Sequence, residues 1–176
     1  MPRNRRELYN KEICACSIFG AMNRDGERFN AAGVMKAIAN MHVRGNGLGG
    51  GFAAYGIYPQ YRDYYAFHLM FNGKTLQSQI SAKAEFEQYL NQRFDVVHDE
   101  EIPHRPQTQL RDPPLIWRYF ASPKKMGEDA SLSDDEYVVR TVMQTNSRAE
   151  DAYIFSSGMN MGCFKGVGYP EEIGEY

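Results

Sequence analysis

The chain has 176 residues, 43% of them hydrophobic, and a formal net charge of -2. That length sustains one sizeable core rather than two full domains. The near balance of charge excludes a general binder of nucleic acid or membrane surfaces, and no apolar stretch approaches a membrane-spanning helix.

In chain order, the leader "MPRNRRELYNKEICA" (1–15) starts basic but has no apolar segment, because Glu7, Asn10, Lys11 and Glu12 interrupt it. It is a poor secretion signal. Three cysteines (Cys14, Cys16 and Cys163) are too few, and odd in number, for a disulfide framework, so a reducing cytoplasm is the expected location. "CSIFGAM" (16–22) reads as a short strand closed by the turn "NRDG". Asn30 is the expected N-cap of a helix over 31–42, with Val34, Ile38 and Met41 on one face and Met35 beside them. The glycines of "RGNGLGGG" end it. "FAAYGIY" (52–58) and "YYAFHLMF" (64–71) read as a hairpin joined by "PQYRD". Residues 78–94 form the next expected helix, with Ile80, Phe86, Leu90 and Phe94 as a loose apolar stripe. The span 98–114, rich in proline and charge, reads as an exposed loop. "LIWRYF" and "YVVRTVMQT" are expected strands flanking a charged, mobile stretch, and "AYIFSSG" (152–158) is another. Pro170 followed by two glutamates starts a helix that the sequence does not finish, so the chain reads as a fragment or one half of a split protein. Twelve tyrosines and ten phenylalanines point to an aromatic core or to a surface awaiting another protein layer.

The pair Cys14-x-Cys16 allows three readings. A structural metal needs about four ligands, and His42, His68, His98 and His104 form no partner motif, so no metal is expected. Cys16 is otherwise a small buried residue opening a strand. The third reading is nucleophilic. Cleavage between Ala15 and Cys16 would free an α-amine with a pKa near neutrality, able to take the proton of its own thiol. Gly45, Gly47 and Gly50 satisfy the dinucleotide fingerprint G-x-G-x-x-G, but a helix precedes them and a strand follows, the reverse of what pyrophosphate binding needs. Asn72-Gly73 reads as a hairpin turn, and Cys163 as a packing residue.

"ACSIFGAMN", "IANMHVRGNGLGGGFAAYGIYP" and "FSSGMNMGCFKGVGYPEEIGEY" resemble the class II, N-terminal-nucleophile glutamine amidotransferases. The closest likeness is to the amidotransferase domain of archaeal-type glutamate synthases. It runs over nearly the whole chain, with Cys16-Ser17 where the family usually starts Cys-Gly. The resemblance implies an α+β fold, a four-layer α/β/β/α sandwich with 16–176 as its N-terminal part and 1–15 as a propeptide. It implies Cys16 as nucleophile, Arg44 and Gly45 as glutamine-binding or nucleophile-positioning residues, and release of ammonia to a synthase domain or subunit. Neither nucleic acid nor membrane is an expected partner. Flavin, iron–sulfur clusters and nicotinamide would belong to other synthase domains. The family's later carboxylate-binding arginine, oxyanion Asn-Gly and amine-binding aspartate have no match here, so another chain is expected to complete the domain, and the chain alone is expected to be inactive. The competing reading is a non-catalytic structural or regulatory half-domain; a small nucleotide-binding protein is a third.

Overall fold

A computed structural model of the chain describes residues 16–45, 47–105 and 113–176; the expected leader, 1–15 with Cys14, lies outside them. The fold is mixed α+β, with two antiparallel sheets and, among the described residues, four α-helices. The chain forms two compact units: Met1–Phe52 with Lys165–Glu175, and Ala53–Phe164 with Tyr176.

The second unit holds the core. Its sheet has the order β3-β4-β2-β5, from β2 (Tyr65–Phe71), β3 (Phe94–Glu101), β4 (Leu115–Pro123) and β5 (Ala152–Met159). Alternate side chains of central β2 (Tyr65, Phe67, Leu69 and Phe71) cluster with Phe86 and Leu90 of α2 (Leu76–Arg93) and with Tyr137 and Val138 of α3 (Asp134–Arg148). Each fully buried side chain of this size stabilises by about 1.5–3 kcal/mol. On β2's other face, Ala66 joins Tyr58 and Phe120, with Ile57, Tyr61 and Tyr64 packed against them. Burial on both faces explains why β2 reads as a continuous apolar run.

Several expectations fail here, each for a local reason. "YVVRTVMQT" is not a strand but the body of α3. Ser133 caps it by accepting from the Glu136 backbone N–H, while the Glu136 carboxylate accepts from Ser133 N–H in a capping box. Its buried residues (Tyr137, Val138, Thr141 and Thr145) recur at helical spacing, so packing overrides the β-preference of its valines and threonines. Residues 98–101 are no loop: they complete β3, an edge strand whose acidic side chains guard an unpaired margin. The expected hairpin is absent. β1 (Gly50–Tyr55) pairs with β6 (Met161–Gly166), whereas β2 pairs with β4 and β5. The connection between them contains a 3-10 turn, Pro59–Tyr61, and its tyrosines cover the sheet. Asn72-Gly73 is likewise no hairpin turn; it leads from β2 into α2, capped by Thr75. The glycine-rich stretch after β5 contains β6, reached through Asn160 at φ 50. Residues 16–22 form no strand, and Ile18 is 91% exposed: an apolar run makes a strand only where it finds a partner.

In the first unit, α1 (Ala32–Ala39) is shorter than expected. Asn30 still accepts from Ala32 N–H at 2.6 Å, one residue before the helix's N-cap position at Ala31. Its half-buried Val34, Met35 and Ile38 lie on the expected face. α4 (Pro170–Glu175) begins at the expected proline and packs on α1, with Gly174 against Met35.

Candidate functional site

The first unit brings "MHVRGNGLGGG" and "GVGYPEE" together. After α1 the chain tightens into a 3-10 turn, His42–Arg44, in which Arg44 N–H donates to Met41 O and Gly45 N–H to His42 O, both at 2.9 Å. The Tyr169 ring stacks on His42 with centroids 3.6 Å apart. His42 Nδ1 lies 2.6 Å from Glu171 Oε1, across 129 positions of sequence. A carboxylate only accepts, so Nδ1 carries the proton and donates. That bond is the main cause holding the Glu171 carboxyl below its usual range. The other oxygen, Oε2, is buried without a hydrogen-bond partner among the described residues.

The glycines explain how the strings meet. Gly47 has φ 72, and a Cβ there would lie 3.2 Å from the Tyr169 ring. A Cβ at Gly50 would lie 2.7 Å from Pro170 N and 2.8 Å from Gly168 O, so β1 meets that backbone directly. The glycine spacing that formally matches a dinucleotide loop therefore accommodates residues 168–170. A 3-10 turn precedes it and β1 follows, so the helix N-terminus that binds pyrophosphate is not supplied there.

Of the expected site residues, Cys16, Arg44 and Gly45 all belong to this unit, and all three are exposed. No hydrogen bond, ion pair or ring contact among the described residues joins Cys16 to the Arg44-Gly45 turn. Exposure of Cys16 departs from the reading of a small residue buried in a strand. Cys163 is half-buried in β6, its N–H donating to Ser156 Oγ at 2.9 Å. Asn72 is tied by its N–H to Asp151 O at 2.8 Å, in the other unit.

Sequence reasoning missed the His42–Glu171 pair, because nothing local links positions so far apart. It also missed a buried network in the second unit. There the Tyr58 hydroxyl lies 2.6 Å from Nε2 of His68, which is wholly buried. Burial pushes His68 down to about 4, although the neighbouring Ser156 backbone favours its charged form. Its Nδ1 meets no partner with hydrogen-bond geometry among the described residues. Burial raises Tyr58 against the opposing pull of Arg118, whose guanidinium forks onto Glu100 at 2.8 and 2.7 Å. A wholly buried imidazole cannot reach a substrate, so this network is structural. Among the described residues no three His, Cys, Asp or Glu side chains gather as a metal site, and no helix is long and apolar enough to cross a membrane.

No protein-family model matches the sequence. A protein of Archaeoglobus fulgidus, described as an uncharacterized protein, is 52% identical to this chain over 169 residues, which covers 96% of this chain and 44% of that protein. The chain thus spans less than half the length of the curated relative it matches.

Proposed function

We propose that this chain is the nucleophile-bearing part of a class II glutamine amidotransferase. In that role it releases ammonia from L-glutamine for a synthase such as glutamate synthase. The observation that carries this reading is that Cys16, the Arg44-Gly45 turn and the "GVGYPEE" segment belong to one compact unit, with the thiol of Cys16 exposed. After cleavage behind Ala15, the Cys16 α-amine takes the thiol proton, and the thiolate attacks the side-chain carbonyl carbon of glutamine. The tetrahedral oxyanion collapses, the amide nitrogen leaves as ammonia with the proton held by the α-amine, and a thioester remains. Water hydrolyses it to glutamate and restores the thiol. Arg44 and Gly45 take the glutamine-binding or nucleophile-positioning role, and both the carboxylate-binding arginine and the oxyanion donors come from residues with no match in this chain. In the proposed four-layer sandwich, residues from another chain or another part of the protein complete the domain, and any flavin, iron–sulfur cluster or nicotinamide sits in other domains.

A second reading, a non-catalytic structural half-domain, draws support from Ile18, Met22, Val43 and Val167, each more than 80% exposed. Such a surface suits a covering partner. Intact mass and labelling separate the two. The amidotransferase reading expects loss of residues 1–15 and stoichiometric alkylation of Cys16 by a diazoketone analogue of glutamine, abolished in Cys16→Ser. An uncut leader with an inert thiol overturns it in favour of the structural reading.

A further inference from the structure

We propose that Glu171, acting through His42, is a positioning residue that holds the Arg44-Gly45 turn in its substrate-binding geometry. This deepens the amidotransferase reading and rests on it. Arg44 is the last residue of the 3-10 turn, and the first residue of that turn is the one Glu171 grips. The turn's two backbone hydrogen bonds involve His42 or its direct neighbours. A three-residue 3-10 turn is weak by itself, because its hydrogen bonds are poorly aligned and few. Here it is held from outside in two ways at once: the Tyr169 ring lies flat on the imidazole, and the Glu171 carboxylate accepts from the imidazole edge. A charge-assisted bond of this kind is about twice as strong as a neutral one. Tyr169 is itself fixed, its N–H donating to Glu172 Oε2 at 2.7 Å. The start of α4 thus presents a ring and a carboxylate to one imidazole, and Arg44 follows two residues later. Glu171 Oε2, buried and without a hydrogen-bond partner among the described residues, marks where this arrangement is costly: an unsatisfied buried acceptor is retained against a penalty.

The test has two arms. Second-scale amide hydrogen exchange of the full chain follows the turn without any substrate. In Glu171→Ala the amides of Arg44 and Gly45 are expected to exchange about tenfold faster, with amides of α2 and β2 unchanged, and Glu171→Gln, whose carbonyl still accepts from Nδ1, is expected to restore most of the protection. The second arm follows alkylation of Cys16 by the diazoketone glutamine analogue, separated into the analogue's binding constant and the maximal rate, with iodoacetamide as an electrophile that needs no binding. Glu171→Ala is expected to weaken analogue binding about tenfold, with rescue by Glu171→Gln and an unchanged iodoacetamide rate. Combining it with Arg44→Ala should give no further loss. Unchanged exchange at Arg44 and Gly45 in Glu171→Ala overturns the inference, as does equal slowing with both electrophiles. If the unaltered protein labels with iodoacetamide but not with the analogue, the amidotransferase reading falls, and the exchange arm still decides whether Glu171 holds the turn.

Discussion

His68 carries an acid sensitivity that its sequence neighbourhood does not announce. In the folded chain it is buried and held neutral, with its pKa near 4, whereas an unfolded histidine titrates near 6.5. Between those values the unfolded state binds the extra proton, so stability rises with pH across that window. The contribution is fully present above about 6.5 and lost as pH falls toward 4, amounting to about 3 kcal/mol. Tyr58→Phe leaves the imidazole without its 2.6 Å partner and is expected to cost about 1–3 kcal/mol at neutral pH. Removing both groups together, in Tyr58→Phe with His68→Leu, should cost less than the two single changes added. It should also flatten the difference in stability between pH 4 and 7, measured by urea unfolding. A double variant as acid-sensitive as the parent would place the titration elsewhere. The alternation of "YYAFHLMF" cannot reveal this histidine, because β2 is central and both its faces are buried.

At the scale of elements, the helix starts at Asn30 and Pro170 are legible, the capping box of α3 stands in the sequence but is masked by its β-branched run, and the pairing is not legible. "SDDE" before α3 is a capping box with three acidic side chains in the first turn, and it outweighs the β-branched run that follows. Ser133→Ala is therefore expected to destabilise the second unit by about 1 kcal/mol, read from the midpoint of urea unfolding with its slope unchanged. The Glu136 carboxyl is held low chiefly by the Ser133 backbone N–H, so its help is present above the carboxylate range and fades as pH falls through it. An unchanged midpoint would mean that the helix is set by its buried face alone. Strand pairing left weaker traces. β1 and β2 are neighbours in sequence yet join different sheets, and β6 hides in a glycine-rich stretch whose partner lies more than a hundred residues earlier. Acidic residues at the β3 edge resemble a loop because an edge strand and a loop both face water. The candidate site follows the same logic: Cys16, Arg44 and Gly45 stand out in short strings, whereas Glu171 becomes visible only once α4 lies against the 3-10 turn.

For the whole molecule, burial is divided very unevenly. Every buried large hydrophobic residue among the described ones, from Tyr58 to Ile154, lies in the second unit. The first unit has half-buried helices, backbone contacts through glycine, and the His42–Tyr169–Glu171 cluster. Since apolar burial is the main favourable term in folding, the two units should open with different free energies. Amides of β2, β4 and the buried face of α3 are expected to exchange at least a hundredfold more slowly than those of α1 and α4, at pH 7 and without denaturant. Equal protection in both units would show that they unfold as one, and the first unit would then draw its stability from something other than its own buried surface. A unit with so little buried surface would also respond to the ligand of the proposed amidotransferase. If glutamine or its diazoketone analogue binds at the Arg44-Gly45 turn, binding must stabilise the closed form over the open one by mass action, by about 2.7 kcal/mol at a ligand concentration a hundred times the dissociation constant. Protection should then rise selectively at residues 42–45 and in α4, while amides of the second unit stay at their free-protein rates. A uniform rise in both units, or none, would argue that the ligand does not bind at the proposed Arg44-Gly45 turn.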